Sequence, residues 1–374
     1  MIRQYTRVKI NIPGILATAF LLVFFFAKLI DMPAIISNGM IAFTGITCFA
    51  YSLFKQKVSQ QTLFWGILLS VMMICSTSYN GNSSYFEVLW LWCFWGVACI
   101  FAYFPISSKV ITRVFIIVSI VFSVLIVLNT SPQDALASAS GNNISVIVLF
   151  YVMLIYIKRY EEKKNVIYWP CIAAVVFSIW GNGRAGILAS AIMLILVFFY
   201  GTFSVKRKKL GALLRVGVLL VIAAFLMQRY FGSYIETLTY KMDRYGNTSI
   251  RTEIWKEYIT AALGSVKSFL LGPPTVTGST PLLSSFDGNA HNAFLVLHSK
   301  YGIIGFLYVL FSVISYSFRF LNNKRYMYII IILVWGFRSM FDWTGFPGVF
   351  DVIFFYFVIK NMELKKRTAN FKKG

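Results

Sequence analysis

An all-α, polytopic membrane protein, with about 12 transmembrane helices and one large loop between spans 9 and 10, is what this sequence predicts. Three observations predict it. Of 374 residues, 58% are hydrophobic and only 13% charged, with mean hydropathy +0.73, which is more apolar than a soluble globular domain. Apolar runs of roughly 20 residues, the length that crosses about 30 Å of hydrocarbon, recur along the chain. Basic residues fall between these runs, so a net charge of +22 reports topology rather than a nucleic-acid surface. The expected partner is the lipid bilayer, with no nucleic acid. Cys48, Cys75, Cys93, Cys99 and Cys171 all lie inside apolar runs without a CxxC or Cys/His spacing, so neither a disulfide nor a structural metal is expected.

Taken in order, the chain starts with Arg3, Arg7 and Lys9 before an apolar run at 15–30. That run ends in "DMPAII", without a small-x-small cleavage site, and is taken as an uncleaved first span. Further spans are expected at 34–54, 62–79, 86–104, 110–129 and 143–157, then at 166–181, 185–203, 210–228, 303–320, 326–342 and 347–360. With the N-terminus inside, most basic residues fall in inner connections, among them Lys55, Lys57, Lys109, Arg113, Lys158, Arg159, Lys163, Lys164, the run 206–209 and the tail from Lys360. The short outer connections keep only Lys28, Arg184 and Arg338, a bias that follows the positive-inside rule. An even number of spans also leaves the C-terminus inside. The chain is therefore expected to form one membrane domain, 1–374, with 229–300 inserted as a loop on the outer face.

Within that loop, Ile254, Trp255, Tyr258, Ile259, Ala262, Leu263 and Val266 make an apolar stripe at helical spacing, stopped by "GPP" at 272–274. Such a helix is expected to lie in the membrane interface with its stripe down. Arg251, one turn before Trp255, shares the stripe's face, where an unpaired cation calls for an anion. His291 opens the next apolar run at the outer boundary and is the residue there that can accept a proton near neutral pH. Asp287, four residues earlier, is a candidate to orient the imidazole, against the alternative of a solvated loop aspartate. His298, two turns on, pairs with His291 on one face, but no acidic cluster supports a metal site.

The second constellation is "WGNGRAG" at 180–186, between two apolar runs. Its glycines permit a tight turn, expose N–H groups at a helix start and let a large anion approach, while Arg184 offers a bidentate grip on phosphate. The alternative is a hairpin turn whose arginine snorkels to headgroups. Arg338 lies four residues before Asp342, and an i, i+4 ion pair accounts for it; it remains a secondary substrate-binding candidate.

The order of "GNGRAG", then "RTEIWKEY", "LGPP" and "HNAFLVLHSKYGIIGFLYVL" resembles the bacterial O-antigen polymerase and O-antigen ligase superfamily, over most of the C-terminal half. Two departures occur: "GPP" stands where the family has a glycine-containing turn, and Gly precedes Arg184 where Ser is frequent. Neither removes a charged group. The resemblance implies a metal-independent inverting glycosyltransferase without cofactors in the bacterial inner membrane, both termini cytoplasmic and the loop periplasmic. Its donor and acceptor would be glycans on undecaprenyl diphosphate, and a chain-length regulator and a flippase of the pathway would be partners. It implies His291, Arg184 and Arg251 as catalytic residues, with Arg184 and Arg251 contacting the diphosphate; Asn292 and Arg338 complete the expected substrate-binding set. Polymerase is favoured over ligase, which would transfer the glycan to the lipid A core. From another class, a transporter or flippase of lipid-linked oligosaccharide also fits the span count.

Overall fold

The computed structural model describes residues 11–137, 140–204, 250–276 and 280–371. These form α1 (Ile12–Leu29), α2 (Ala34–Phe54), α3 (Gln60–Asn80), α4 (Val88–Tyr103, after a 3-10 turn at Tyr85–Glu87), α5 (Ser108–Val127), α6 (Asn142–Glu161), α7 (Trp169–Trp180), α8 (Arg184–Ser204), α9 (Ile250–Leu263), α10 (Val266–Leu271), α11 (Pro281–Ser284), α12 (Ala293–Asn322), α13 (Tyr326–Met340) and α14 (Asp351–Phe371). Among the described residues no strand occurs. Among the described residues eight segments are long and apolar enough to cross a membrane: α1, α2, α3, 85–103, α5, α6, α8 and α12. The helices α7 and α13 are apolar but shorter. Lys360, Glu363 and Lys365 make the second half of α14 polar. The expected span at 210–228, the basic run 206–209 and the first part of the loop lie outside the described residues.

Polar residues at the helix starts do local work. Asn11 Oδ1 accepts the Gly14 N–H at 3.2 Å, and Ser59 Oγ accepts that of Thr62 at 3.1 Å, so first-turn donors are satisfied where each helix begins. Helix α6 has no polar face between Val146 and Ile157, and it is the core helix, buried from Ile144 to Lys158. It packs against α5, α7, α8 and α13. The outer helices α2 and α5 instead leave Phe43, Ile120 and Val127 exposed, as helices facing lipid do.

Alternation of direction sorts the connections into two polar ends. At one end lie the ends of α1, α3, α5, α7 and α13 and the start of α12: Ala137 N–H donates to Lys28 O at 3.1 Å and Asn80 Nδ2 to Ser299 O at 2.8 Å. At the opposite end Ser108 N–H donates to Glu162 Oε1 at 3.0 Å and Lys360 Nζ to Ala102 O at 2.7 Å.

The loop departs from the expected interfacial helix in two ways. Its helix breaks at Gly264–Ser265, before "GPP", where Ser265 Oγ caps α10 through the Ser268 N–H at 3.0 Å. Its stripe also divides. Ile254, Tyr258 and Ala262 are buried against Leu283, Ala290 and Val296 in a small core of the loop's own, whereas Ile259, Leu263 and Val266 are exposed. Burying an aliphatic or aromatic side chain fully contributes about 1.5–3 kcal/mol, so folding back on 281–296 competes well with lying on lipid. Glu257 anchors the fold-back by accepting the N–H groups of Leu282 (3.1 Å) and Leu283 (2.8 Å). Helix α12 is broken at Gly302, φ 64°, where a Cβ would stand 2.3 Å from Leu270 O; the close passage of α10 therefore requires glycine there.

Candidate functional site

Four helix ends meet around a cleft of about 330 Å³. It is lined by Asn142 at the start of α6, Asn182–Gly186 at the start of α8, Ile250 and Arg251 of α9, Arg338 of α13, and Phe341 and Asp342 just after it. Sequence had singled out Arg184, Arg251 and Arg338 from three distant stretches, and the fold brings all three here. Helix α8 begins at Arg184, so its first-turn N–H groups and the positive end of its dipole also face the cleft.

The glycines of "GNGRAG" allow close packing, and Gly183 and Gly186 also line the cleft. A Cβ on Gly186 would stand 2.2 Å from Ser145 Oγ, one on Gly183 2.7 Å from Asn142 Oδ1, and one on Gly181 2.7 Å from Gly141 O. They bring α8 flush against α6, and the left-handed turn residue is Asn182, φ 55°.

Arg338 is the most buried of the three, 1% exposed. Its ion pair with Asp342 exists, Nη2 to Oδ2 at 3.0 Å, as the i, i+4 spacing predicts. The pair does not use up the guanidinium. Nε and Nη2 reach Ser145 Oγ at 3.4 and 3.3 Å, and Nη1 is buried with no hydrogen-bond partner, as is Asn182 Oδ1 in the same lining. Arg251 is half-buried and donates from Nη1 to Phe341 O at 2.8 Å. Burial pushes its guanidinium below the ordinary value; Asp342 opposes this, and the charges of Arg338 and Arg184 add to it. A guanidinium nevertheless stays charged in proteins. Arg184 is exposed at the rim and pairs with no carboxylate among the described residues. Among the described residues three guanidinium groups thus line a cleft with one carboxylate, and only Arg338 pairs with it.

His291 faces that carboxylate. Its Nδ1 lies 4.0 Å from Asp342 Oδ1, an ion-pair contact too long for a formed hydrogen bond. Burial pushes the Asp342 carboxyl up, but His291 and the guanidinium groups of Arg338 and Arg251 more than offset this and hold it well below the ordinary carboxylate range. The acid beside the imidazole is Asp342; Asp287 is an exposed turn residue, φ 53°. The His291 backbone sits at φ 48°, a conformation that costs a non-glycine residue about 1–2 kcal/mol. Its neighbours fix it there. Asn289 Oδ1 accepts the His291 N–H at 2.8 Å, Trp255 Nε1 donates to Ala290 O at 2.9 Å, and the Phe286 ring stands edge-on at 5.6 Å.

Two expected residues take structural roles. Asn292 caps α12, its Oδ1 accepting from Phe294 N–H (2.9 Å) and Leu295 N–H (3.3 Å), which leaves only its amide nitrogen for a ligand. His298 accepts the Tyr258 hydroxyl on Nδ1 at 2.8 Å and donates from Nε2 to Phe269 O at 2.8 Å. With both nitrogens committed, it forms no ligand pair with His291.

Sequence reasoning missed what holds these groups in place. Asn80 and Asn82, in "YNGNSS" after α3, donate to Leu271 O (3.0 Å) and Pro273 O (2.7 Å) and so tie α10 to the bundle. Asp351 accepts the N–H groups of Phe346 (2.9 Å) and Gly348 (3.0 Å) and pins the turn that carries Asp342. An asparagine pair beside a glycine and an acid at a helix start were the available signals. No family model, curated protein or solved structure matches the chain.

Proposed function

We propose that the chain is a glycosyltransferase that polymerises undecaprenyl-diphosphate-linked repeat units at the periplasmic face of the bacterial inner membrane. In this view it has twelve spans, with 210–228 as the ninth, both termini cytoplasmic and the 250–292 loop outside. The observation that carries the reading is the buried, unpartnered Nη1 of Arg338 in a cleft with three guanidinium groups and one carboxylate. Leaving a buried donor of a charged group unsatisfied costs about 1–3 kcal/mol, and a bound dianion would offset that cost. The resemblance to O-antigen polymerases supplies the identity of that anion.

The chemistry follows from the charges. The acceptor hydroxyl attacks the anomeric carbon of the donor glycan as the bond from that carbon to the phosphate oxygen breaks. The arginines stabilise negative charge developing on the departing lipid diphosphate. His291 takes the proton from the attacking hydroxyl, with Asp342 beside Nδ1 stabilising the imidazolium and Nε2 free to serve as base. Attack from the side opposite the leaving group gives inversion in a single displacement. The arginines do the electrostatic work that a metal ion would do elsewhere, and no cofactor is required.

The glycan phenotype of a deletion strain tests this. A lipid A core bearing one repeat unit is expected. A bare core would make the chain a ligase, and intermediates retained inside the cell would make it a flippase. Topology is tested separately: a reporter active only outside the cytoplasm should work after Ser285 and fail after Lys163.

A further inference from the structure

A second cleft, of about 530 Å³, lies against the first and is used by none of the steps above. Lys28, Asn38, Glu87, Trp90, Ser140, Asn143, Trp343 and Thr344 line it over an apolar floor that includes Phe24 and Phe94. The wall between the clefts is thin. Asn142 lines the arginine cleft and Asn143 this one, and Asp342 lines the arginine cleft while Trp343 lines this one. Consecutive Cα atoms are only about 3.8 Å apart, so a ligand here lies directly beside the Asp342 that faces His291.

The lining suits a sugar. The indoles of Trp90 and Trp343 bring to the lining the flat apolar surface on which a pyranose ring packs, while amides, a carboxylate and hydroxyls supply the hydrogen bonds its edge requires. The platform is held in place. Lys300 Nζ stands 4.2 Å over the Trp343 ring and 2.5 Å from Glu87 Oε2, so one buried ammonium fixes both the indole and the carboxylate that line the cleft. Lys28 explains itself here too. It is the remaining basic residue of the short connections at this end, and among the described residues its ammonium has neither an ion-pair nor a hydrogen-bond partner. A ligand with an anionic group would supply one.

We infer that this cleft binds the acceptor, a saccharide with an anionic group held by Lys28 and a ring stacked on Trp343. Its terminal hydroxyl then reaches the wall at Asp342 and His291, while the donor's diphosphate occupies the arginine cleft. Holding two substrates in adjoining, preformed clefts converts an encounter in the membrane into a step between positioned groups. The anion is either the carboxylate of an acidic sugar or the phosphate of the acceptor's own lipid carrier.

The inference rests on the transferase reading, and the test separates the two. The probe is the oligosaccharide cut by mild acid from lipid-linked material of cells that carry His291→Ala. If those cells accumulate no such material, the transferase reading fails and this inference falls with it. If they do, binding of the probe to purified protein should weaken about tenfold in Trp343→Ala and less in Trp343→Phe, which keeps a ring. Inorganic pyrophosphate, which reports the arginine cleft, should bind both variants as it binds the wild type; this also shows that they are folded. Unchanged probe affinity in Trp343→Ala overturns the acceptor cleft and leaves the transferase intact. Lys28→Met assigns the anion. Weaker binding of the phosphate-free probe makes it a sugar carboxylate, weaker binding only of the lipid-diphosphate-linked form makes it the carrier phosphate, and no change with either removes Lys28 from the site.

Discussion

Both ends of the bundle carry a cleft and clustered cations, yet the two differ in how the charges are matched. At the end opposite the arginines the cleft is larger, about 740 Å³, and is lined by Arg159, Lys163, Lys164, Arg325 and Lys360. There Arg159, Lys164 and Lys360, with Lys158 beside them, have polar partners, and Arg325 lies over the Tyr328 ring. Lys158 pairs with Glu161 at 2.5 Å, Lys360 with Glu161 and Glu363 at 3.2 Å each, Lys164 with Glu162 at 2.8 Å, and Arg159 Nε donates to Asn165 O at 3.1 Å. At the arginine end the described residues set one carboxylate beside three guanidinium groups, of which only Arg338 pairs with it while keeping an unpartnered donor. Cleft volume and charge matching point to opposite ends. Matched cations hold helices together and satisfy the positive-inside rule, whereas unmatched buried ones are a cost that a ligand relieves.

Substitutions can break that comparison. The largest effect is expected for His291→Ala, a loss of about 10²- to 10⁴-fold in transfer rate with pyrophosphate binding kept. Near-full polymer from His291→Gln at normal abundance would remove the base assignment. His298→Ala should instead lower the melting temperature, because it leaves Tyr258 and Phe269 O without their partner. Next comes Arg338→Gln, which strands Asp342 and should cost about 3–5 kcal/mol of stability as well as pyrophosphate binding. Retention of both would show that the orphan Nη1 serves no anion.

Arg184→Lys and Arg251→Lys keep the charge but lose the planar fork, so transfer should fall about tenfold with membrane insertion intact. Two fully active lysine variants would favour snorkelling to headgroups. Asp342→Asn carries an opposite sign in two assays: removing the negative charge should tighten pyrophosphate binding a few-fold and slow transfer about tenfold. Its native carboxyl is held below the unfolded value of about 3.9, so its contribution to stability is complete above that pH and is lost only as pH falls through the lower folded value. At the other end Glu162 behaves alike. Burial raises its carboxyl, but hydrogen bonds from Lys164 and Ser108 outweigh this and bring it to about 2, so its pairing persists well below the ordinary range of about 4.3. The smallest effect belongs to Lys163→Ala in the larger cleft, within about 0.5 kcal/mol of wild-type stability and with unchanged transfer. A marked loss of transfer there would put function at both ends.

Hydropathy and charge alone determined the helical class, the alternation of the helices and the identity of the unusual cations, because solvation by lipid acts on each segment wherever its neighbours are. Arg184, Arg251, Arg338 and His291 were visible for the same reason: a charged or titratable group at a membrane boundary is conspicuous in one dimension. What covers them was not. An apolar stripe on α9 states that a face must be buried but not against what, and only the fold-back onto Leu283 and Val296 decided between lipid and protein. Asp342 looked like the i, i+4 partner of Arg338 alone, and its second duty facing His291 arises where α13 and the start of α12 converge. The second cleft, walled by Asn142–Asn143 and Asp342–Trp343, joins residues two hundred positions apart. Partnership between such residues is a property of packing, and packing is what a one-dimensional pattern leaves undetermined.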